Sequence, residues 1–323
     1  MTLPKIAFIF PGQGSQAAGM GKELSALYPV ARRTFDEADE ALDYKLSLLC
    51  FEGPDEQLKM TEITQPAILT VSVAASRVLA EAGITPSYVA GHSLGEYSAH
   101  VAAGTLSFAD AVRTVRNRGK YMQEAVPAGE GAMFAILNLP IEQIRQACDE
   151  AVAAFPGEVC QAANINSPGQ VVISGSRAAT ERAAELCKQK GAKRAVLLPV
   201  SAPFHCALMQ PAQDRLAADL NAPSFDNPTV PVVCNVDAKL VTDAAAARDA
   251  LIRQVTGSVR WVESIQRMIA LGVEHFVEVG PGKALSGMLR QIDRTKPSSH
   301  VENEASLQEA KEALGRVPTV SNK

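Results

Sequence analysis

The chain has 323 residues, of which 47% are hydrophobic, so it can bury a sizeable core in one large domain or two moderate ones. Its net charge of −4 comes from 31 basic and 35 acidic residues without a long run of either sign, which argues against nucleic acid or an anionic membrane as the main partner. The six cysteines show no C-x-x-C spacing, so we expect neither a zinc site nor a disulfide framework, but reduced thiols in a cytoplasm.

An apolar run at residues 5–10 ends at a Pro-Gly pair and predicts a buried strand that leads into a loop. The run is too short for a signal peptide, and we expect no stretch of the chain to approach a membrane span. The loop at residues 12–16 lacks the Gly-Lys-Ser/Thr of a P-loop and the glycine spacing of a dinucleotide site, so we set nucleotide binding aside. Apolar residues at helical spacing then predict helices over residues 22–49 and 63–82.

Residues 91–95 read Gly-His-Ser-Leu-Gly, between a predicted strand that ends at residue 90 and a predicted helix over residues 94–101. In that setting the G-x-S-x-G pattern predicts a nucleophile elbow, a tight turn that exposes the hydroxyl of Ser93 and aims backbone N–H groups at the reacting carbon. The two glycines leave room for the turn, and the positive end of the helix lies close behind it. The alternative is a glycine-rich turn with an incidental serine.

A second domain is predicted at residues 127–200, because the composition changes at Pro-Ala-Gly-Glu-Gly and a new pattern follows. This segment is strand-like at residues 132–137, 159–165, 171–174 and 194–198, and helical at residues 141–154 and 177–189. The order β-α-β-β-α-β is the ferredoxin-like arrangement. We expect this small α+β domain to be inserted into a larger α/β domain made of residues 1–126 and 201–323.

The larger domain is predicted to be hydrolase-like, with a central, mainly parallel sheet covered by helices. Its later elements are a helix at residues 261–271, a strand at residues 275–279 and a last core helix at residues 284–292. From residue 293 onward the chain turns into a polar C-terminal tail with one short helical pattern at residues 307–314, and we expect the last residues to be mobile.

The best candidate for a general base is His205, which closes the segment Pro-Val-Ser-Ala-Pro-Phe-His. It follows Ser93 in the chain, as the histidine follows the serine in hydrolase-type folds. A structural role is the better interpretation for the other four histidines: His92, His100, His275 and His300. A Ser–His pair usually has a third group that orients the imidazole, yet no acidic residue stands out shortly before His205, and Asp237 is only a weaker alternative.

Five motifs occur in a specific order: Phe-Pro-Gly-Gln-Gly-Ser-Gln at residues 10–16, Gly-His-Ser-Leu-Gly at 91–95, Arg-Gly at 118–119, Pro-Phe-His at 203–205 and Glu-Val-Gly-Pro-Gly at 278–282. In these motifs the sequence resembles the malonyl-CoA:acyl-carrier-protein transacylases, the acyltransferase family of fatty acid and polyketide synthesis. The resemblance extends over most of the chain. It implies an active site in the cleft between the large domain and the inserted domain.

The resemblance implies roles for the residues around the nucleophile. Ser93 would carry the acyl group and His205 would act as its base. The backbone N–H groups of Gln13 and Leu94 would hold the oxyanion. The main-chain carbonyl of Gln254 would orient His205 in place of a carboxylate; such a neutral acceptor fixes the tautomer but stabilises the imidazolium less.

Arg118 lies on a helix predicted over residues 107–122, together with Arg113 and Arg116. We interpret the last two as solvated surface residues. By resemblance, Arg118 reaches into the pocket and binds the malonyl carboxylate. A planar guanidinium suits that task because it can pair with a carboxylate through two parallel hydrogen bonds.

Three further residues are placed at the substrate by the resemblance or by the turn pattern. Gln65 would lie near the acyl pocket, although a polar residue at a helix start beside Pro66 explains it equally well. Asn166 falls in the turn predicted between the middle strands of the inserted domain, where plain turn chemistry is the alternative to substrate contact. Phe204 would lie beside the carbon between the two malonyl carbonyls.

The implied reaction moves a malonyl group from malonyl-CoA to the phosphopantetheine thiol of an acyl carrier protein, through an ester on Ser93. It requires no metal and no bound redox cofactor. A serine esterase or thioesterase of α/β-hydrolase type is one alternative, because G-x-S-x-G alone favours it. A non-catalytic module that binds a carrier protein is another, against which the joint presence of Ser93, His205 and Arg118 argues.

Overall fold

The computed structural model describes residues 4–200 and 202–315, and this part of the chain contains ten strands and fourteen α-helices. The strands are β1 (Ile6–Phe10), β2 (Tyr88–Gly91), β3 (Gly131–Leu137), β4 (Cys160–Ser167), β5 (Gln170–Ser176), β6 (Arg194–Leu197), β7 (Val232–Val233), β8 (Leu240–Val241), β9 (His275–Val279) and β10 (Ser298–Val301). The helices are α1 (Lys22–Leu27), α2 (Pro29–Leu42), α3 (Leu46–Glu52), α4 (Asp55–Leu58), α5 (Thr61–Glu81), α6 (Gly95–Ala102), α7 (Phe108–Glu124), α8 (Ile141–Ala154), α9 (Arg177–Gln189), α10 (Gln210–Asn221), α11 (Ala244–Arg253), α12 (Trp261–Ala270), α13 (Ala284–Ile292) and α14 (Glu304–Gly315).

Six strands form the larger sheet, in the order β10-β9-β1-β2-β7-β8. Neighbouring strands are parallel except for β7 and β8, which are antiparallel. In the central strand β1, residues 7–10 are all buried, as expected for a parallel strand covered by helices on both faces. The mainly parallel central sheet predicted from the sequence is confirmed.

The smaller sheet has four antiparallel strands in the order β4-β5-β3-β6. The helices α8 and α9 pack against it around a separate apolar core that includes Ile136, Ile144 and Ile173. This topology confirms the ferredoxin-like α+β arrangement. A short parallel bridge joins the smaller sheet to the rest of the fold, because the N–H of Ile165 donates to the carbonyl of Val259 at 2.9 Å. The division into domains at residues 127 and 200 stays a prediction.

Helix α5 is the long core helix of the larger part, with 21 residues. By length and composition it could cross a membrane, which corrects the expectation that no stretch of the chain approaches a membrane span. In the folded chain, 78% of the apolar 18-residue stretch of this helix is buried inside the protein. Burial against other protein elements explains the apolar composition in the same way as for any core helix.

Two sequence predictions differ from the fold at their boundaries. The segment 22–49, predicted as continuously helical, is divided into three helices, because Pro29 starts α2 and Asp43, with a φ of 57°, ends it. The helical pattern predicted at residues 307–314 lies within α14, which begins earlier, at Glu304, whereas β10 was not predicted. These two elements are not a purely polar tail, because Val301 and Leu307 are completely buried. The expectation of mobile last residues concerns residues 316–323, which lie outside the described part of the chain.

Candidate active site

Ser93 lies on the turn between β2 and α6, and its backbone has a φ of 51°. This left-handed conformation costs roughly 1–2 kcal/mol in a residue other than glycine, so the turn is strained. A Cβ at Gly91 would overlap the backbone of Gly95, and a Cβ at Gly95 would overlap the carbonyl oxygen of Phe10. The two glycines therefore allow the turn, α6 and β1 to pack closely, in the geometry of a nucleophile elbow.

Asn235, a buried residue that the sequence analysis did not single out, holds this elbow. Its Oδ1 accepts a hydrogen bond from the backbone N–H of Ser93 at 2.7 Å, and its Nδ2 donates to the carbonyl oxygen of Gly91 at 2.7 Å. These two hydrogen bonds hold the backbone at the start of the turn and at Ser93, and so stabilise the strained conformation. The one signal that could have pointed to Asn235 is its position shortly after β7. The carboxyl ends of parallel strands form the ligand-binding edge of such sheets.

Ser93 and His205 meet at the carboxyl edge of the larger sheet. The Oγ of Ser93 lies 2.7 Å from Nε2 of His205. The Nδ1 of His205 lies 3.0 Å from the carbonyl oxygen of Gln254 and 3.2 Å from that of Gly257. Because carbonyl oxygens only accept, Nδ1 must carry the proton and Nε2 is left to accept from the serine. The alternative partner Asp237 instead pairs with Arg253 at 2.7 Å.

The protonation state of His205 suits a base. Burial, together with the nearby positive charge of Arg118, lowers the pKa of His205 to about 3. The imidazole is therefore neutral near pH 7 and can take a proton from Ser93.

Arg118 projects from α7 into the site and is only 1% exposed. Its Nη2 donates to Ser93 Oγ at 3.0 Å and to Gln254 Oε1 at 2.9 Å, while its Nη1 donates to Gln65 Oε1 at 2.8 Å. Burial lowers its pKa, and within residues 4–200 and 202–315 no carboxylate forms an ion pair with it. A buried guanidinium without a counter-ion is costly unless a bound anion completes the pair.

One cavity brings together eight of the nine residues selected from the sequence. These are Gln13, Gln65, Ser93, Leu94, Arg118, Asn166, Phe204 and His205. Met133 on β3 and Val172 on β5 also line it, so elements of both sheets contribute to its walls. The ninth residue, Gln254, is fully buried and does not line the cavity, but it forms hydrogen bonds with two residues that do, Arg118 and His205.

The two candidate oxyanion donors, Gln13 and Leu94, line the same cavity as Ser93. Leu94 immediately precedes the first residue of α6, so its backbone N–H lies at the positive end of that helix. Gln13 comes from the loop after β1. The roles of both N–H groups as donors stay predictions.

Asn166 corrects one detail of the sequence reading. It lies inside β4 and not in the turn between the middle strands, because β4 continues to Ser167. Its Oδ1 is 2.8 Å from Nε2 of His92, and His92 in turn lies edge-on to the ring of Trp261. His92 therefore lines the cavity and orients Asn166, and contact of Asn166 with a substrate stays a prediction.

Glu96 is the second residue that the sequence analysis missed. It lies on α6, three residues after Ser93, and is fully buried. Its Oε2 accepts hydrogen bonds from the backbone N–H of Asn235 at 2.9 Å and from Nε2 of Gln254 at 2.8 Å. Burial raises the pKa of Glu96 to about 7, although both bonds and nearby positive charge oppose that change.

Comparison with known proteins places this site in a family. The model of the acyl transferase domain matches residues 7–313. The malonyl CoA-acyl carrier protein transacylase of Salmonella typhimurium is 53% identical over 309 residues, which cover 95% of this chain and 99% of that protein. The protein of the same name from Bacillus subtilis is 51% identical and covers 97% of this chain and 98% of its own length.

Solved structures give the same result in three dimensions. An acyl carrier protein S-malonyltransferase from Vibrio cholerae superposes with a TM-score of 0.92 at 50% identity, over 95% of this chain and 99% of its own. A complex described as a type II PKS acyl-carrier protein with its malonyl-transacylase contains a chain with a TM-score of 0.92 at 48% identity, over 96% of this chain and 99% of its own. Because the family model spans most of the chain and relatives and solved structures agree with it along nearly the whole length, the chain belongs to the acyl transferase family.

Proposed function

We propose that this chain transfers a malonyl group from malonyl-CoA to the phosphopantetheine thiol of an acyl carrier protein. The observation that carries the proposal is the position of Arg118, whose buried guanidinium lies 3.0 Å from Ser93 Oγ and forms no direct ion pair with a carboxylate in the described part of the chain. A malonyl thioester supplies the missing carboxylate on the same molecule as the reacting carbonyl. The names of the relatives from Salmonella typhimurium and Bacillus subtilis support the same substrate and partner.

The first half of the reaction acylates the enzyme. Nε2 of His205 takes the proton of Ser93 as Oγ attacks the thioester carbonyl carbon. The backbone N–H groups of Gln13 and Leu94 stabilise the negative oxygen that forms. When the tetrahedral intermediate collapses, the C–S bond breaks, and the CoA thiolate takes the proton from the imidazolium.

The second half reverses these roles. The thiol of the carrier's phosphopantetheine gives its proton to His205 and attacks the malonyl ester. The C–O bond to Ser93 then breaks, and the serine oxygen recovers the proton from the imidazolium. Throughout, the carbonyl oxygens of Gln254 and Gly257 accept the proton on Nδ1 and keep the ring in one orientation.

No step of this route calls for a metal or a bound redox cofactor. Its acid–base work is done by one histidine, and its charge stabilisation comes from backbone N–H groups and one arginine. We propose a cytoplasmic location, which is supported by the six buried cysteines, all of them free thiols.

Intact-mass measurement after mixing with malonyl-CoA tests the function. The wild-type protein is expected to gain one malonyl group that remains until holo acyl carrier protein is added and then moves to the carrier. The Ser93→Ala variant is expected to gain none, because it lacks the attacking oxygen.

The same measurement separates the alternatives. Rapid loss of the adduct to water, without a carrier, would identify a hydrolase. Absence of any adduct on the wild-type protein would instead indicate a binding module. Peptide mapping that placed the malonyl group on another serine would exclude Ser93 as the nucleophile.

Phe204 precedes the base, lines the cavity and is 8% exposed. We expect its ring to exclude an α-methyl group on the substrate, so Phe204→Ser should raise the methylmalonyl-to-malonyl ratio of kcat/KM. An apolar pocket seldom discriminates one methyl group by more than about 1–3 kcal/mol, which corresponds to a shift on the order of tenfold here.

Steady-state kinetics with malonyl-CoA and methylmalonyl-CoA measure this ratio. Phe155→Ser is a matched control, because Phe155 follows α8 and is 37% exposed. An unchanged ratio in Phe204→Ser would remove Phe204 from the account of specificity.

A further inference from the structure

Behind the elbow, three buried side chains form a polar cluster: Glu96, Gln254 and Arg118. The Nε2 of Gln254 donates to Oε2 of Glu96 at 2.8 Å and to the carbonyl oxygen of Ser93 at 3.0 Å. The Oε1 of Gln254 accepts from Nη2 of Arg118 at 2.9 Å. The amide of Gln254 therefore connects the carboxylate to the guanidinium that lies beside the nucleophile.

The two ends of this amide are not interchangeable. Oε2 of Glu96 is an acceptor, since the backbone N–H of Asn235 also donates to it, and a guanidinium can only donate hydrogen bonds. Only one orientation of the Gln254 amide therefore satisfies both Glu96 and Arg118. In the flipped orientation, Oε1 would face the Glu96 carboxylate and Nε2 would face the Arg118 guanidinium, and both contacts would be repulsive. Glu96 on α6, together with the carbonyl oxygen of Ser93, thus determines which atom of the Gln254 amide faces Arg118.

Arg118 depends on such support because few hydrogen bonds hold it. Its guanidinium donates to the amide oxygens of Gln65 and Gln254 and to Ser93 Oγ, the atom that becomes acylated, and it lies 5.5 Å from the centre of the Tyr97 ring. The Nε of Arg118 forms no hydrogen bond with the described residues. If the oxygen of Gln254 turned away, one anchor on the guanidinium would be lost and its position relative to Ser93 would be poorly defined.

The burial of Glu96 is costly for the protein. Its Oε1 has no hydrogen-bond partner in the described part of the chain. The charged or titratable groups that face it are Arg118 from α7, Arg253 at the end of α11, Cys234 after β7 and the neighbouring Tyr97. None of these groups donates a hydrogen bond to its carboxylate, because its partners are the Gln254 amide and the backbone of the Asn235 segment. The hydrogen bonds of Glu96 therefore lead to the elbow through Asn235 and to Arg118 through Gln254.

We propose that Glu96 is a positioning residue for recognition of the substrate carboxylate, and that it acts by orienting the Gln254 amide, which in turn fixes the Arg118 guanidinium beside Ser93. This inference rests on the proposed function and deepens it. Glu96 touches neither substrate nor reacting atoms, so it should affect malonyl transfer much more than transfer of an acyl group without a carboxylate.

A matched pair of variants tests the proposal. Glu96→Met keeps the volume and removes both acceptors, so the malonyl-to-acetyl ratio of kcat/KM is expected to fall about tenfold or more, as for loss of a hydrogen bond in a charged network. Glu96→Gln can place an amide oxygen where Oε2 now lies and its NH₂ group where Oε1 has no partner. Its ratio is therefore expected to stay within about threefold of the wild-type value.

A second variant removes the middle of the cluster, the amide that joins Glu96 to Arg118. Gln254→Met removes the amide but keeps the main-chain carbonyl that faces His205, and its malonyl-to-acetyl ratio should fall as in Glu96→Met. The double variant should fall no further than either single variant, because both changes remove the same link. Gln254→Met also tests the proposal if Glu96→Met does not fold, as judged by thermal unfolding.

Four results would overturn the proposal. An unchanged ratio in Glu96→Met or Gln254→Met would show that the amide does not fix Arg118. An equal loss with both acyl groups would show that Glu96 only supports the elbow. A Glu96→Gln ratio as low as that of Glu96→Met would assign the effect to charge and not to amide orientation. A wild-type protein without a malonyl preference would contradict the proposed function itself, and this inference with it.

Discussion

Replacement of His205 by alanine is expected to lower the rate of Ser93 acylation by a factor on the order of 10⁴ or more, as for members of other coupled nucleophile–base pairs. The reason is geometric. Nε2 of His205 is the group within 2.7 Å of Ser93 Oγ that can take its proton, since the neighbouring Arg118 can only donate. The measurement is rapid-quench detection of the malonyl-enzyme burst in the wild-type and His205→Ala proteins.

His300→Ala is a suitable control for this experiment. His300 lies on β10, where its Nε2 is 3.7 Å from a carboxylate oxygen of Glu302, and it does not line the cavity. Its replacement is expected to leave the burst unchanged. A near-normal burst in His205→Ala would exclude His205 as the base and would require another proton acceptor for Ser93.

Arg118→Ala is expected to lower kcat/KM for malonyl transfer by a factor of about 10² or more, which corresponds to loss of about 3 kcal/mol from a buried ion pair. Acetyl transfer should hold steady or improve, because an acetyl group leaves the guanidinium desolvated and unpaired in the wild-type site. Selectivity therefore has two sources, attraction for one substrate and a penalty on the other. Kinetics with malonyl-CoA and acetyl-CoA in both proteins measure it.

Arg113→Ala provides the matched control on the same helix. The Arg113 side chain is 55% exposed and pairs at 3.6 Å with Asp110, so its loss should affect neither substrate. A malonyl-to-acetyl ratio that Arg118→Ala leaves unchanged would contradict the carboxylate-binding role. It would also favour the esterase alternative, which has no use for a buried arginine beside the nucleophile.

Local sequence determined the elements that carry the nucleophile. The strand, the turn and the helix around Ser93 follow from residues within about one turn of one another, because the apolar run, the two glycines and the helix start are close in the chain. The ferredoxin-like order of the inserted segment was predictable for the same reason, since each of its strands and helices has its own apolar period. The motif resemblance then indicated Arg118 and His205, which are far from Ser93 in the chain.

Folding decided the contacts that make these residues a site. Asn235 and Glu96 carry no catalytic motif, and their importance depends on β7 lying next to β2 in the sheet, which brings Asn235 against the elbow. Likewise, the amphipathic pattern of α7 does not distinguish Arg118 from the exposed Arg113, because only packing against α5 shows which arginine is buried. Sequence therefore determined the local turn and the types of residue, while the tertiary structure decided their partners, since hydrogen bonds between distant residues exist only once the sheet has brought them together.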